Sequence, residues 1–415
     1  MGEGREKGHL TILRRIFFYI RKVCSLEKAI DGVTDSREQP RIKTRVVVRS
    51  VIVMFLARLG SLNALEQSKS SRALSAWVGA EPPSADSLGR IAALLNHDQL
   101  RQVNHELYTR LKRNKALEAP KHGLIALCVD GHESHATYLR TCPDCLTRTV
   151  HTANGERIQY YHRHVTAQLI CGGLKLLLDS EPQRPNEDEV ATALRLLERV
   201  FEHYIRAFDI VIADALYTDP RFFDFVFSRG KHVLTVLKNE SRDLIKDSRA
   251  LFDGSEPQTF HRGKRECQCW DADGFTTWPQ VSAPVRVVRS VETWTIKRQL
   301  DGNSEKLATE WLWVTTLPVE LSNTRVVVDI GHDRWGIENE GFNELVTRWY
   351  ADHVYKHDGS AMLSFFLLCM VAFNVFHAFY LRNLKPDFRK KHSMLHVARL
   401  ISSCLYSEIP SRNPP

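Results

Sequence analysis

LIALCVDG, residues 124–131, is a short apolar run that ends abruptly at Asp130 and Gly131. A second run of the same kind, FDIVIAD (208–214), ends at Asp214. Uninterrupted apolar runs of this length are typical of central strands that are covered on both faces. Because ligands gather at the carboxyl ends of strands in such sheets, the two aspartates are candidate site residues. An aspartate that ends a strand is common, so neither is informative alone.

The segments around these two runs follow the order of an α/β domain. Between them the sequence predicts a hairpin that turns at 171–173 and an amphipathic helix over 186–205. After the second run it predicts a helix over 218–229 and a further strand over 232–239. The order of strand, hairpin, helix, strand, helix and strand indicates an α/β fold.

The first 121 residues differ from the rest in both pattern and charge. They read as amphipathic helices, and they contain 22 Lys or Arg against 12 Asp or Glu, a net charge of +10. Because the whole chain carries +8, the remaining residues carry −2. The sequence therefore predicts an all-helical domain over 1–121 that binds a polyanion such as double-stranded DNA, with a solvated basic surface as the alternative.

The second half of the chain divides into three further parts. Residues 240–325 contain alternating, tryptophan-bearing strands and predict a β-rich insertion into the α/β core, which would occupy 122–239 and 326–385. Residues 386–415 would form a C-terminal helical tail. The apolar segment 361–381 is long enough to raise the question of a membrane span, but Asn and His interrupt it, and its spacing favours a buried core helix. The polar N-terminus shows no signal peptide, which favours the cytoplasm.

A further stretch, RWGIENEGFNEL (334–345), lies within a helix predicted from about 332 to 350. At about 100° per residue, one face of this helix forms an apolar stripe of Trp335, Phe342, Leu345, Val346 and Trp349. Glu340 and Glu344 project to the opposite side, where we expect them to be solvated.

Glu338 instead falls inside the apolar stripe. An ionised carboxylate on a face that packs against the core is costly unless it is paired or binds a metal. Arg334 lies one turn earlier and is close enough to pair with it. Two interpretations of Glu338 follow from the helix alone, a half-buried ion pair and a site residue.

A divalent metal would explain a cluster of the three carboxylates. Asp130, Asp214 and Glu338 would repel one another if they converged. Mg²⁺ prefers carboxylate oxygens, keeps several waters and binds phosphates, and Mn²⁺ can take its place. Two such ions can activate a water or a 3′-hydroxyl for attack on a phosphodiester.

Three motifs together resemble a known family. VDGHES (129–134), VIADALYTD (211–219) and RWGIENEGFNEL (334–345) look like the catalytic motifs of the DDE transposases of bacterial insertion sequences. The ordered triplet, with the long insertion before its third member, carries the resemblance, which covers residues from about 120 to 385. It implies a ribonuclease H-like catalytic core with a β-rich insertion domain.

The resemblance also implies roles for individual residues. Asp130, Asp214 and Glu338 would bind catalytic Mg²⁺, and Arg334 would brace the glutamate or a DNA phosphate. Further supporting or phosphate-binding residues would be Asn339, Tyr217, Lys238 and Arg348. Lys238 has an equally good interpretation as a solvated lysine at the end of a strand.

The third motif departs from the family pattern at two positions. The family often has a tyrosine and a lysine where this chain has Gly331 and Leu345. Arg348, Lys356 or His332 could replace the phosphate clamp that those two residues make. Family members also stack a displaced base on a tryptophan of the insertion, for which the candidates are Trp294, Trp311 and Trp313.

The nine cysteines are scattered, and reduced thiols are the default expectation in the absence of an export signal. Cys142-Pro-Asp-Cys145 has the spacing of a zinc knuckle, with His151, His162 and His164 downstream. Cys267-Gln-Cys269 could supply a second pair. A structural zinc at Cys142 and Cys145 is thus an alternative that the spacing alone does not decide.

The function predicted from these features is that of a transposase in the bacterial cytoplasm, associated with the nucleoid. It would bind transposon-end and target DNA and act as a homodimer in a synaptic complex, without a membrane. Two alternatives stay open, a ribonuclease H-fold nuclease that only hydrolyses nucleic acid and a catalytically inactive DNA-binding derivative.

Overall fold

A ten-stranded mixed sheet forms the centre of the protein in the computed structural model, which describes residues 11–153, 155–239, 242–298, 303–335 and 341–406. The strands are β1 Ala126–Thr137, β2 Leu146–Thr152, β3 Gly155–Cys171, β4 Leu174–Pro182, β5 Ile210–Ala213, β6 His232–Val236, β7 Gln258–Arg262, β8 Arg265–Phe275, β9 Val285–Lys297 and β10 Ser304–Thr315. They lie in the order β2-β3-β1-β5-β6-β10-β9-β8-β7, with β4 also paired to β3.

The inner part of this sheet has the strand order of a ribonuclease H-like core. β1 pairs in parallel with β5, and β5 in parallel with β6, whereas β1, β3 and β4 form an antiparallel meander. The five core strands β1, β3, β4, β5 and β6 therefore lie in the spatial order 3-2-1-4-5 by chain position. β1 and β5 are buried along their apolar runs, as the sequence predicted.

The β-rich segment continues the core sheet instead of forming a separate one. β10 pairs antiparallel with β6, with Trp313 opposite Val236, and β9, β8 and β7 follow outward as successive antiparallel strands. The division of the chain into the four predicted domains stays a prediction, although the change from helices to strands does fall between residues 113 and 126.

Helices occupy both ends of the chain and cover the sheet. Those before the sheet are α1 Ile12–Phe18, α2 Glu27–Asp31, α3 Thr44–Leu56, α4 Leu62–Gln67, α5 Arg72–Val78, α6 Ala85–Ala92 and α7 His97–Arg113. Those within and after it are α8 Glu189–Tyr204, α9 Pro220–Phe227, α10 Asp243–Asp253, α11 Thr324–Asp333, α12 Asn343–Trp349, α13 Gly359–Ala378, α14 Pro386–Lys391 and α15 Met394–Tyr406. π-helical turns extend α1 over Tyr19–Val23 and α13 over Phe379–Asn383.

The longest apolar helix, α13, is a core element. With its π-helical extension it is long and apolar enough to cross a membrane, but its apolar window is completely buried inside the protein. Its polar residues have partners there: the Asn374 side-chain amide donates to Asn104 of α7 at 2.8 Å, and the Ser364 hydroxyl lies 3.1 Å from His97 Nε2. A helix that is apolar on all sides is typical of the centre of a large protein.

The helix predicted from about 332 to 350 is not regular in the part of it that the structure describes. A turn at Arg334 follows α11, Trp335 is helical again, and π-helical backbone at Gly341 and Phe342 leads into α12. A wider turn changes the angular position of every later residue, so an extrapolation at 100° per residue fails across it. Trp335 is 37% exposed, whereas Phe342, Leu345 and Trp349 are buried as the stripe predicted.

Candidate active site

The sequence predicted that the first strand ends at Asp130, but β1 continues to Thr137, whereas Asp214 directly follows β5. The register between β1 and β5 places the two aspartates side by side. These strands pair Ala126 with Ile210 and Cys128 with Ile212, an offset of 84 residues. Asp130 and Asp214 are also 84 residues apart, so each lies two positions beyond the last matched pair. The Asp214 carboxylate accepts a hydrogen bond from the Leu216 backbone N–H at 2.8 Å, which orients it at the end of its strand.

The proximity of the two carboxylates is visible in the electrostatics of the site. Burial and the nearby charge of Asp214 raise the pKa of Asp130 to about 7, despite the opposing effect of Arg334. A carboxyl group with a pKa this high is unfavourable in its ionised form and is typical of functional sites. Placing a divalent cation between the two carboxylates would remove this repulsion, so the donor set suits a hard metal ion.

Arg334 is the basic partner at this site. Its Nη1 atom lies 3.8 Å from Asp130 Oδ2, and its side chain is only 11% exposed. The sequence offered a pairing of Arg334 with Glu338, which lies outside the described residues; among those described, its guanidinium lies against the first aspartate. From this position the Arg334 charge offsets part of the negative charge of Asp130.

Asp130, Asp214 and Arg334 open into a cleft of about 690 Å³. Its other lining residues are Gly131, His132, Ala215, Val236, Lys238, Trp311, Trp335, Phe342, Asn343 and Val346. The His132 ring stacks on Phe342 with the ring centroids 4.9 Å apart. The cleft thus combines acidic groups at its base with cationic and aromatic side chains on its walls.

A fourth acidic side chain, Glu189, lies next to the aspartates and was not found by sequence reasoning. It belongs to the first turn of α8, where Tyr217 donates to it at 2.8 Å and Arg163 at 2.9 Å. Its carboxylate packs directly against Gly131, where a side chain would collide with it. It also helps to raise the pKa of Asp130. Only the acidic run NEDEV at a helix start hinted at it, and such runs are common.

The other predicted supporting residues occupy different environments. Lys238 is exposed and lines the cleft, which places its ammonium within reach of a bound polyanion. Tyr217 is fully buried with its hydroxyl on Glu189, so it supports the site instead of facing the cleft. Arg348 is exposed and lines a neighbouring pocket with Lys175. His332 is held against Glu292 at 2.5 Å and packs beside Trp311, away from solvent.

The structure separates the three candidate stacking tryptophans. Trp313 is buried in the core, and Trp294 lies under the Arg265 guanidinium, 4.2 Å from it. Trp311 alone among them lines the cleft, where its ring meets Trp335 edge to face with centroids 5.5 Å apart.

Gly331, where the family often has tyrosine, makes room for the core. A Cβ atom here would lie 2.5 Å from Trp313 Nε1, and Trp313 is only 1% exposed. We therefore expect Gly331→Ala to lower the free energy of unfolding by about 1–3 kcal/mol, as overpacking usually does. Urea denaturation followed by tryptophan fluorescence measures this. Gly254→Ala is the control, because nothing lies within 4 Å of its new methyl group, and equal effects of the two substitutions would contradict the packing argument.

The expectation that Glu344 is solvated is wrong. Its side chain is 13% exposed and accepts from His377 Nε2 and Trp349 Nε1, both at 3.2 Å. Burial raises the pKa of Glu344. The hydrogen bonds from His377 and Trp349 and the nearby Arg58 charge lower this pKa by more than burial raises it, so the net shift is downward. The sequence could not show this, because His377 of α13 and Arg58, which follows α3, lie far from Glu344 along the chain.

We expect Glu344→Gln to destabilise the protein by about 3 kcal/mol, because the buried Arg58 loses a compensating charge. A carboxylate whose pKa is lowered on folding stabilises the protein above its unfolded pKa. This contribution should therefore be lost progressively as the pH falls from about 4.5 through the lowered pKa of the folded state. Urea denaturation at pH 7 and at pH 4 measures both effects. Glu320→Gln, at an exposed position, should change neither value.

Two of the residues predicted for the third motif, Glu338 and Asn339, lie outside the described residues, as does Glu340. The residues on either side of this segment are described. Arg334 and Trp335 precede them and Phe342 and Asn343 follow them, and all four line the cleft.

The strand order, together with Asp130 in β1 and Asp214 just after β5, defines a ribonuclease H-like protein with an acidic cleft. A family model described as the transposase DDE domain matches residues 121–375. The chain therefore belongs to the DDE transposase family, as the three motifs indicated. No curated protein matches the chain. Members of this family act on DNA, generally with a divalent metal.

Proposed function

We propose that this DDE transposase cleaves DNA at transposon ends and joins the free 3′-hydroxyl to target DNA in a Mg²⁺-dependent reaction. The observation that carries the proposal is that Asp130 and Asp214 each lie two residues beyond the last pair of the parallel strands β1 and β5 and line one cleft. Their mutual repulsion, relieved by a cation, supports a metal-binding role over a structural one.

Asp130, Asp214 and Glu338 are the proposed ligands for Mg²⁺, or for Mn²⁺ in its place. When bound, the metal would supply Lewis acidity at a phosphodiester and favour ionisation of the attacking hydroxyl. The chain's own residues position the reactants. Arg334 offsets part of the charge of the Asp130 carboxylate, and Lys238 offers a cation to a phosphate at the wall of the cleft.

The amino-terminal helices are the proposed binding surface for transposon-end DNA. Basic residues of α1 and its extension surround the aromatic side chains Phe17, Phe18 and Trp77. Phe18 is 56% exposed, and Arg21, Lys22 and Arg72 line the same pocket. Cations beside an exposed aromatic ring suit contact with a phosphate backbone. We further propose a homodimer in the synaptic complex and a location in the cytoplasm at the nucleoid.

The experiment that tests this function also separates it from hydrolysis alone. The protein is incubated with Mg²⁺, a supercoiled plasmid and labelled DNA ending in the transposon's terminal repeat with a free 3′-hydroxyl. We expect labelled plasmid, the product of strand transfer. A nuclease would yield only nicked plasmid. An inactive DNA-binding derivative would yield neither, and a calorimetric titration would then detect no binding of Mg²⁺ or Mn²⁺.

A further inference from the structure

Three side chains that ligate soft metals meet away from the acidic cleft. Cys142 and Cys145 belong to the loop between β1 and β2, and His162 lies in β3. The two sulfur atoms are 3.7 Å apart, and His162 Nε2 lies 3.3 Å from Cys142 Sγ and 3.5 Å from Cys145 Sγ. All three residues are buried, although the loop that carries the cysteines lies at the surface.

These separations are those of neighbouring ligands on one tetrahedral ion. Zinc binds thiolate sulfur at about 2.3 Å and imidazole nitrogen at about 2.0–2.1 Å, so tetrahedral angles place two sulfurs about 3.8 Å apart and sulfur and nitrogen about 3.6 Å apart. A disulfide would need about 2.05 Å between the sulfurs, and both cysteines are unpaired. The geometry therefore matches a metal site and not a disulfide.

Ordinary hydrophobic packing does not account for the two cysteines. Buried free cysteines usually serve as small apolar side chains within a core. Cys142 and Cys145 are buried but lie outside the hydrophobic core of the protein, unlike Cys128 and Cys171. Their neighbours Leu139 and Asp144 are exposed. A loop with few apolar contacts needs another source of stability, which a metal supplies.

His135 lies beside this cluster of three, although among the described residues only Cys142, Cys145 and His162 have their ligand atoms within 4.8 Å of one another. It lies at an irregularity of β1, next to Ser134, which pairs directly with His162. Its backbone φ of 52° turns its side chain out of the regular alternation of the strand. Its Nε2 atom is buried and makes no hydrogen bond within the described part of the chain. Buried polar nitrogens normally have a partner, so this atom is available to a metal.

We propose that Cys142, Cys145, His162 and His135 bind a structural Zn²⁺ ion. The ion would join the loop before β2 to strands β1 and β3. Asp144 of this loop packs so closely on Gly359 that a side chain there would collide with it, so the ion would also fix the loop against the start of α13. The site is separate from the cleft of Asp130, and its role is stability rather than chemistry.

Metal analysis of the purified full-length protein tests the proposal directly. We expect one equivalent of zinc per chain after dialysis, and less than about one-tenth of an equivalent in Cys142→Ser/Cys145→Ser. Cys267→Ser/Cys269→Ser is the matched control, since these two cysteines are buried in β8 and belong to no metal-ligand cluster among the described residues. This control should retain its zinc.

Cobalt substitution of the wild-type protein keeps the test decisive if the serine variant fails to fold. Co²⁺ should produce the thiolate charge-transfer absorption and the visible bands of a tetrahedral site. His135→Ala should change those visible bands, and retention of an identical spectrum would overturn the assignment of the fourth ligand. Absence of zinc from the wild-type protein together with no cobalt spectrum would overturn the whole site.

Discussion

Asp214→Asn should reduce strand transfer by about 10³-fold or more while the protein binds transposon-end DNA as before. Asparagine keeps the size of the side chain and can still accept from the Leu216 N–H, but it removes a charge that a divalent metal needs. Asp130→Asn should have the same effect. The measurement is the rate of plasmid joining at saturating Mg²⁺, with a gel-shift assay for DNA binding.

For Asp214→Asn we also predict an effect on stability that is opposite in direction to its effect on activity. Burial and the Asp214 charge raise the pKa of Asp130 to about 7. The repulsion between the two carboxylates therefore destabilises the folded protein at neutral pH. In metal-free buffer, removing the Asp214 charge should leave the free energy of unfolding unchanged or increase it by about 1 kcal/mol. Asp253→Asn, with a side chain 75% exposed, should affect neither property. Marked destabilisation by Asp214→Asn would instead identify a structural carboxylate.

Glu338→Gln should abolish Mg²⁺-dependent strand transfer to a similar extent, about 10³-fold, without weakening DNA binding. The prediction rests on the third motif and on the cleft-lining residues on either side of it, Trp335 and Phe342. Thermal denaturation should show little change, because the role assigned to this glutamate is metal binding and not packing. The joining assay and a calorimetric Mg²⁺ titration measure the two parts of the prediction.

Glu344→Gln is the matched control for Glu338→Gln, because the two residues lie six positions apart in the same motif. It should lower stability through its ion pair with His377, yet the folded fraction should keep its joining activity. If Glu344→Gln removed activity and Glu338→Gln left it intact, the assignment of the third carboxylate would be contradicted.

Much of the catalytic core was predictable from local pattern. The apolar runs before Asp130 and Asp214 predicted buried strands, the turn at 171–173 predicted the β3–β4 hairpin, and both are present. A strand that is buried on both faces needs a continuous apolar run, so such a strand can be recognised from a short segment of sequence. The helix between 332 and 350 was not predictable in this way, because a π-helical turn interrupts its period.

By itself the sequence determined that buried apolar runs lead into Asp130 and Asp214 and that a basic helical segment precedes them, because apolar period and charge are local properties. Only the tertiary structure decided which of these residues meet. The β1–β5 register places Asp130 beside Asp214, Arg334 is set against Asp130, and Glu189 arrives from another helix. The tertiary structure likewise brings His162 of β3 to the cysteine pair in the loop between β1 and β2. Such contacts depend on strand register and helix packing between residues far apart in the chain, which no local pattern encodes.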